Sequence, residues 1–180
     1  MSMLHGAITG NYEKRWHDPH SLDCIQVHSF GTDISPQGVN SALAHYALHE
    51  RTWNPLPLLA DRVAAEALKA LPDEIDNLIV VGGHIGDGIR SERPGTWGAL
   101  VAMKEIMDRQ GWNNPELVGH AHHIGRITIQ ALKLGMDPRV PSLLPNQFDR
   151  SSGQVWTRRR IFWIPYEFAA TIKLKHDGQL

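Results

Sequence analysis

The sequence predicts an α/β domain in which a mainly parallel sheet carries helices on both faces. Two observations lead there. Short β-prone runs alternate at least three times with segments of helical apolar spacing, and glycines or turn clusters separate them. The chain has 180 residues, 42% of them apolar, which is enough to bury one core. At about 100–200 residues per domain, a single domain is expected.

Residues 1–21 are polar and irregular and read as an N-terminal tail or arm, leaving a single domain over 22–180. Residues 22–30 (LDCIQVHSF) contain a short β-prone run, with Gly31-Thr32-Asp33 as the stop. Residues 31–56 are rich in Gly, Pro, Asn and Ser and read as a long loop, with a helical turn around Val39–Leu48. A loop of that length in a compact domain is usually functional or is misassigned.

From Pro57 to Leu71, the residues Ala60, Val63, Ala64, Ala67, Leu68 and Leu71 fall at helical spacing, and Pro72-Asp73 ends the pattern. NLIVV (77–81) is a continuous apolar run, as expected of a strand buried on both faces of a parallel sheet. Pro94-Gly95-Thr96 opens a second helix that runs to Gln110, with Gly111 past its end. ELVG (116–119) is a third short strand, followed by a helix from about His122 to Leu134 that stops at Gly135. Residues 139–144 are a candidate fourth strand. The tail IFWIPYEFAATIKLK contains a helix starting near Pro165, a residue suited to a first turn.

Composition excludes several functions. Eighteen Lys and Arg against nineteen Asp and Glu leave a formal charge of -1, so bulk charge offers nucleic acid no long-range attraction. The lone Cys24 rules out an internal disulfide framework and a Cys-rich zinc site, and reads as a buried inert thiol. No apolar run reaches the length of about 18 residues that a membrane span needs. The opening MSMLHGAITGNYEKRW has neither the cationic start nor the apolar block of a signal peptide, so a cytoplasmic protein is expected.

In open parallel sheets, ligands bind beyond the carboxyl ends of the strands. Polar groups concentrate at those positions here. His28, Ser29, Gly31, Thr32 and Asp33 follow the first run; Gly82-Gly83-His84 through Asp87, Arg90, Ser91, Glu92 and Arg93 follow the next; His120, His122 and His123 follow ELVG, with Arg126 one turn later.

The glycines at 82, 83, 86 and 88 would let a backbone approach a ligand, and the helix from Gly95 offers free N–H groups. Arg90 and Arg93 add donors for a phosphate or carboxylate. The spacing matches neither a Walker loop nor G-x-G-x-x-G, so an ordinary glycine-rich loop is the bland alternative. His120 and His122 are candidate metal ligands, with Asp87, Glu92 or His84 completing a set, although no H-E-x-x-H is present. An acid/base role suits His123, which stands three residues before Arg126 on one helix face. Arg62 alone reads as a surface charge and Arg158-Arg159-Arg160 as a solvated patch. Phe162, Trp163, Tyr166 and Phe168 read as core or as a dimer face.

The order of these motifs resembles the YdcF/SanA/ElyC-like family of bacterial proteins. The matching pieces are LADRV with Arg62, IVVGGHIGDGIRSE with Gly82, Gly83, Ser91 and Glu92, HHIGRITIQALKLGM with His123 and Arg126, and FWIPYEFAATIKL. They cover roughly residues 22–175. Two features depart from the family pattern. Trp112-Asn113-Asn114 runs almost directly into Glu116, where the family carries a further site-lining segment, and only Gly31 follows the first strand, where the family has a glycine cluster.

The resemblance implies a Rossmann-like three-layer fold and a small-molecule site at the carboxyl edge of the sheet, smaller than the family's. It implies a nucleotide-like or phosphorylated anionic substrate, and S-adenosylmethionine is a candidate ligand because a family member binds it. Membrane-anchored relatives act in cell-envelope biogenesis; this chain looks like the soluble branch. Arg62, Arg90 and Arg126 would hold an anionic group, and Glu92 and His123 would exchange protons, with Asp87 and His84 as further catalytic candidates. Gly82 and Gly83 would admit the ligand to the backbone, and Ser91, His120 and His122 would add contacts.

Three readings follow: an enzyme of this family, a metal-dependent hydrolase or oxygenase built on His120 and His122, and a binding or assembly module that dimerises through its aromatic C-terminus.

Overall fold

The computed structural model describes residues 22–72, 75–81, 95–150 and 152–180. Its sheet contains β1 (Cys24–Val27), β2 (Leu58–Asp61), β3 (Leu78–Val81) and β4 (Pro115–Val118), all parallel, in the order β3-β2-β1-β4. The helices are α1 (Val39–Trp53), α2 (Arg62–Lys69), α3 (Thr96–Gln110), α4 (Ile124–Lys133) and α5 (Arg160–His176), and a 3-10 turn spans Val155–Thr157.

Alternation along the strands divides the interior in two, because successive side chains leave opposite faces of a sheet. Ile25 and Val27 pack with Val39, Leu43 and Ala47 of α1 and with Ala64 and Leu68 of α2. Cys24, Leu59 and Leu117 pack with Leu100, Met103 and Met107 of α3 and with Ile127 and Ala131 of α4. Helices therefore cover both faces, and the three-layer α/β architecture expected from the sequence is present. Burial pushes the Cys24 thiol up to about 12, which makes it the inert thiol anticipated.

The expected helix beginning at Pro57 needs correction. Leu58–Asp61 is a strand, and α2 follows without a connecting loop. Asp61 serves both elements: it ends β2, and its Oδ1 accepts the Ala64 N–H at 3.0 Å as the cap of α2. With no turn residue between them, the strand's apolar positions ran into the helical spacing.

The loop expected over 31–56 is also mostly helix. Helix α1 has 15 residues, and polar Asn40 and Ser41 on its buried side mask its apolar period. Asn40 is a clamp. Its Oδ1 accepts the Phe30 N–H at 2.8 Å and its Nδ2 donates to the Asp33 carbonyl at 2.7 Å, which fixes the chain as it leaves β1.

Three smaller differences remain. Among the described strands β3 is an edge, with only Val81 fully buried; β1 and β4 are the strands buried at every position. The 139–144 segment supplies a single bridge, Arg139 to Glu116, because Pro141 and Pro145 interrupt any ladder. Helix α5 starts at Arg160 and carries Pro165 inside it. Helix α3 ends as expected, with Gly111 left-handed at φ 72° and Trp112 N–H reaching back to the Met107 carbonyl at 2.8 Å.

No helix among the described residues is long and apolar enough to cross a membrane. Helix α5 turns Trp163 inward and leaves Ile161, Ile164, Phe168 and Ile172 exposed. Trp163 therefore belongs to the core and is not available as a docking side chain.

Candidate functional site

The strand order reverses at β1. The chain proceeds from β1 through β2 to β3 on one side, and β4 then takes the place on β1's other side. A crevice is expected where connections diverge in this way. A cavity of about 320 Å³ occupies that place. Its floor comes from the carboxyl ends of three strands: His28 and Ser29 after β1, Asp61 of β2 and Val81 of β3. Its walls come from Thr96 and Ala99 of α3, from His123 and Arg126 beside and within α4, and from Trp156, Thr157, Trp163 and Tyr166.

Asp61 organises the floor. Its Oδ2 accepts the Ser29 N–H at 2.7 Å while Oδ1 caps α2, so one carboxylate ties the exit of β1 to the start of a helix. Burial raises this carboxyl's pKa above its ordinary value, against the pull of those hydrogen bonds. Arg62 stands next to it on the rim, exposed, and its Nε lies 2.9 Å from Glu66 Oε1.

His123 and Arg126 are both in the wall, as the sequence suggested. Arg126 has only donors, so its Nη2 at 3.1 Å from His123 Nδ1 makes that nitrogen an acceptor. The neutral ring then carries its proton on Nε2, 3.2 Å from Thr96 Oγ1. Burial, with help from Arg126, holds the His123 pKa well below its ordinary value. The ring is therefore a neutral donor with no free lone pair. In this arrangement Nε2, beside Thr96, is the nitrogen that can give up a proton, while Nδ1 is held by Arg126.

Arg126 also donates through Nε to Glu167 Oε1 at 3.0 Å, joining α4 to α5. The two side chains are 10% and 23% exposed, so this is a largely desolvated pair.

His120 and His122 are not among the cavity-lining residues. The His120 ring stacks on Phe30 at 3.7 Å, its Nε2 lies 3.1 Å from the Gln147 carbonyl, and Nδ1 accepts the His122 N–H at 3.2 Å. Both nitrogens are occupied, which leaves no lone pair for the metal considered there. Among the described residues no three His, Cys, Asp or Glu side chains are grouped to hold a metal ion. His122 is exposed, and its carbonyl accepts the Trp163 indole N–H at 3.3 Å. Gly82, Gly83, His84, Asp87, Arg90, Ser91 and Glu92 lie outside the described residues.

Burial, then the neighbouring His122, pushes His120 down from 6.5 to about 4. A folded value below the unfolded one means stability that is present above pH 6.5 and lost as pH falls toward 4. His120→Phe loses hydrogen bonds at neutral pH, so it is expected to be the weaker protein there. Its deficit should shrink by up to about 3 kcal/mol between pH 6.5 and 4, at 1.36 kcal/mol per unit. Urea midpoints of both proteins across that range provide the check, and a constant gap would mean the ring takes up its proton as readily in the fold as in the unfolded chain.

Sequence reasoning singled out Arg62 but passed over Asp61, and placed His28 after the first strand without assigning it a role. The signals were present: an aspartate three residues before Ala64 is a helix-cap spacing, and His28 directly follows a β-prone run. Compared with protein-family models, with curated protein sequences and with solved structures, the chain has no match.

Proposed function

We propose that this crevice binds a small nucleotide-like or phosphorylated ligand, with S-adenosylmethionine as the first candidate, and that the protein is an enzyme acting on it. The supporting observation is the cavity at the strand-order reversal, which is open to both Arg62 and Arg126 and to the first turn of α3. Helix geometry leaves first-turn N–H groups without intrahelical partners, and with the guanidinium groups they favour an anion. The aromatic side chains Trp156, Trp163 and Tyr166 in the lining suit a planar base. On this reading His123 donates from Nε2 and keeps Thr96 Oγ1 in place, Arg126 holds His123 in that form, and Asp61 keeps the Ser29 loop in register. The family resemblance points to the same edge of the sheet.

Thermal unfolding tests the reading. A ligand at about 100 times its Kd stabilises by roughly 2.7 kcal/mol, or about 5–10 °C for a domain of this size. S-adenosylmethionine, AMP and inorganic phosphate are the probes. A shift of that order with any of them supports an anion-binding crevice, and no shift with all three at millimolar concentration would overturn it.

A further inference from the structure

His28 is the one cavity-lining histidine whose ring has no partner among the described residues. Both Nδ1 and Nε2 are buried and unbonded. Its backbone N–H donates to the Val118 carbonyl at 2.8 Å, which fixes it at the junction of β1 and β4. The neighbouring rings differ. His120 uses both nitrogens on the protein, and so does His123. Packing in this region therefore satisfies imidazoles as a rule, and His28 departs from it where the cavity lies.

An unpaired buried polar group lowers stability, and an apolar side chain of similar volume would suit the fold better. Residues kept against stability are expected at functional sites.

We propose that His28 is a ligand-binding residue that reads a hydroxyl of the bound molecule, such as a ribose or other sugar hydroxyl. A neutral imidazole offers one donor and one acceptor on different edges of the ring, and a hydroxyl, itself both donor and acceptor, can pair with whichever nitrogen it meets. Burial keeps the ring neutral, with its pKa pushed down to about 4. A neutral ring does not recognise an anion by charge. Arg62 and Arg126 would hold the anionic part while His28 takes the uncharged part, so the ligand class narrows to sugar phosphates and nucleotides. This rests on the anion-binding reading above, and the experiment separates the two.

The first arm needs no ligand. His28→Leu is expected to raise the Tm by about 2–8 °C, since a domain of this size shifts by about 2–4 °C per kcal/mol. A fall in Tm would show that the ring supports the fold, for example through a trapped water, and would overturn the assignment.

The second arm is calorimetric titration with AMP and with inorganic phosphate. His28→Leu is expected to weaken AMP at least 10-fold, as befits about 1.4 kcal/mol, while phosphate stays within about 2-fold. His28→Gln, which keeps a donor and an acceptor, should retain most AMP affinity. AMP binding unchanged in His28→Leu would overturn the proposal and leave the anion site standing. If the wild type binds neither probe, the anion-binding reading falls and takes the sugar-phosphate class with it. The Tm arm then still decides whether His28 is held against stability.

Discussion

Arg126→Ala is expected to cost about 3 kcal/mol of stability, the usual effect of removing one partner of a buried ion pair. The loss has two parts. Glu167 keeps a carboxyl that is largely out of water, with Oε2 already lacking a partner and its pKa raised by burial. His123 loses the donor on Nδ1 that fixes its tautomer. Most of the penalty should come from the stranded carboxylate, so Arg126→Met combined with Glu167→Leu is expected to recover most of the stability. The double variant should nevertheless bind the anionic probes poorly, because the guanidinium is gone. Urea unfolding of the single and double variants measures the first claim. A loss below about 1 kcal/mol for Arg126→Ala would mean the pair behaves as a surface bridge and does not fasten α5 to α4.

Gly31→Ala carries the second large expectation. Gly31 has φ +80°, and a Cβ there would stand 2.7 Å from Ser152 Oγ and 2.8 Å from Thr157 Oγ1. Those two hydroxyls lie 2.7 Å apart in a buried contact that anchors the segment carrying Gln154, Trp156 and Thr157 into the cavity wall. A methyl group must push that contact apart as well as adopt a left-handed backbone. Together these should cost about 2–4 kcal/mol. Gly135 supplies the control, with φ +78° and nothing within 4 Å of its added Cβ. Gly135→Ala should cost only the backbone part, about 1–2 kcal/mol. Equal losses in the two variants would remove the hydroxyl contact from the explanation. An unequal loss should come with weaker ligand binding at Gly31→Ala alone, since only that residue supports the wall.

How much of this was legible in the sequence varied with the kind of interaction involved. Elements set apart by turn chemistry were readable: α3 lies between Gly95 and Gly111, and β4 and α4 fell within a residue or two of their expected places. Where one residue does two jobs, the pattern failed. Asp61 ends a strand and caps a helix in the same step, so no loop composition announced β2. Helix α1 was hidden because Asn40 is buried for its hydrogen bonds, and an apolar period does not register that reason for burial.

The site divides the same way. The rule for parallel sheets points to the edge where the cavity lies, and His123 and Arg126 line it. The same rule could not separate His120, whose ring is consumed by Phe30 and Gln147, from His28, whose ring is left over. Three-dimensional neighbours make that distinction, and residue type does not.

The position of β1 between β2 and β4 also sets the sequence of events in which this crevice is made. Ile25 pairs with Leu58 across 33 residues and with Glu116 across 91. Closing the longer loop costs about 1 kcal/mol more in chain entropy, so the β1–β2 pairing has the easier route. A nascent chain that has emerged only as far as β3 holds Asp61, Ser29 and His28 with no opposite wall. The cavity is complete only once β4 has docked and α4 and α5 have followed it, which places its two halves in different stages of synthesis.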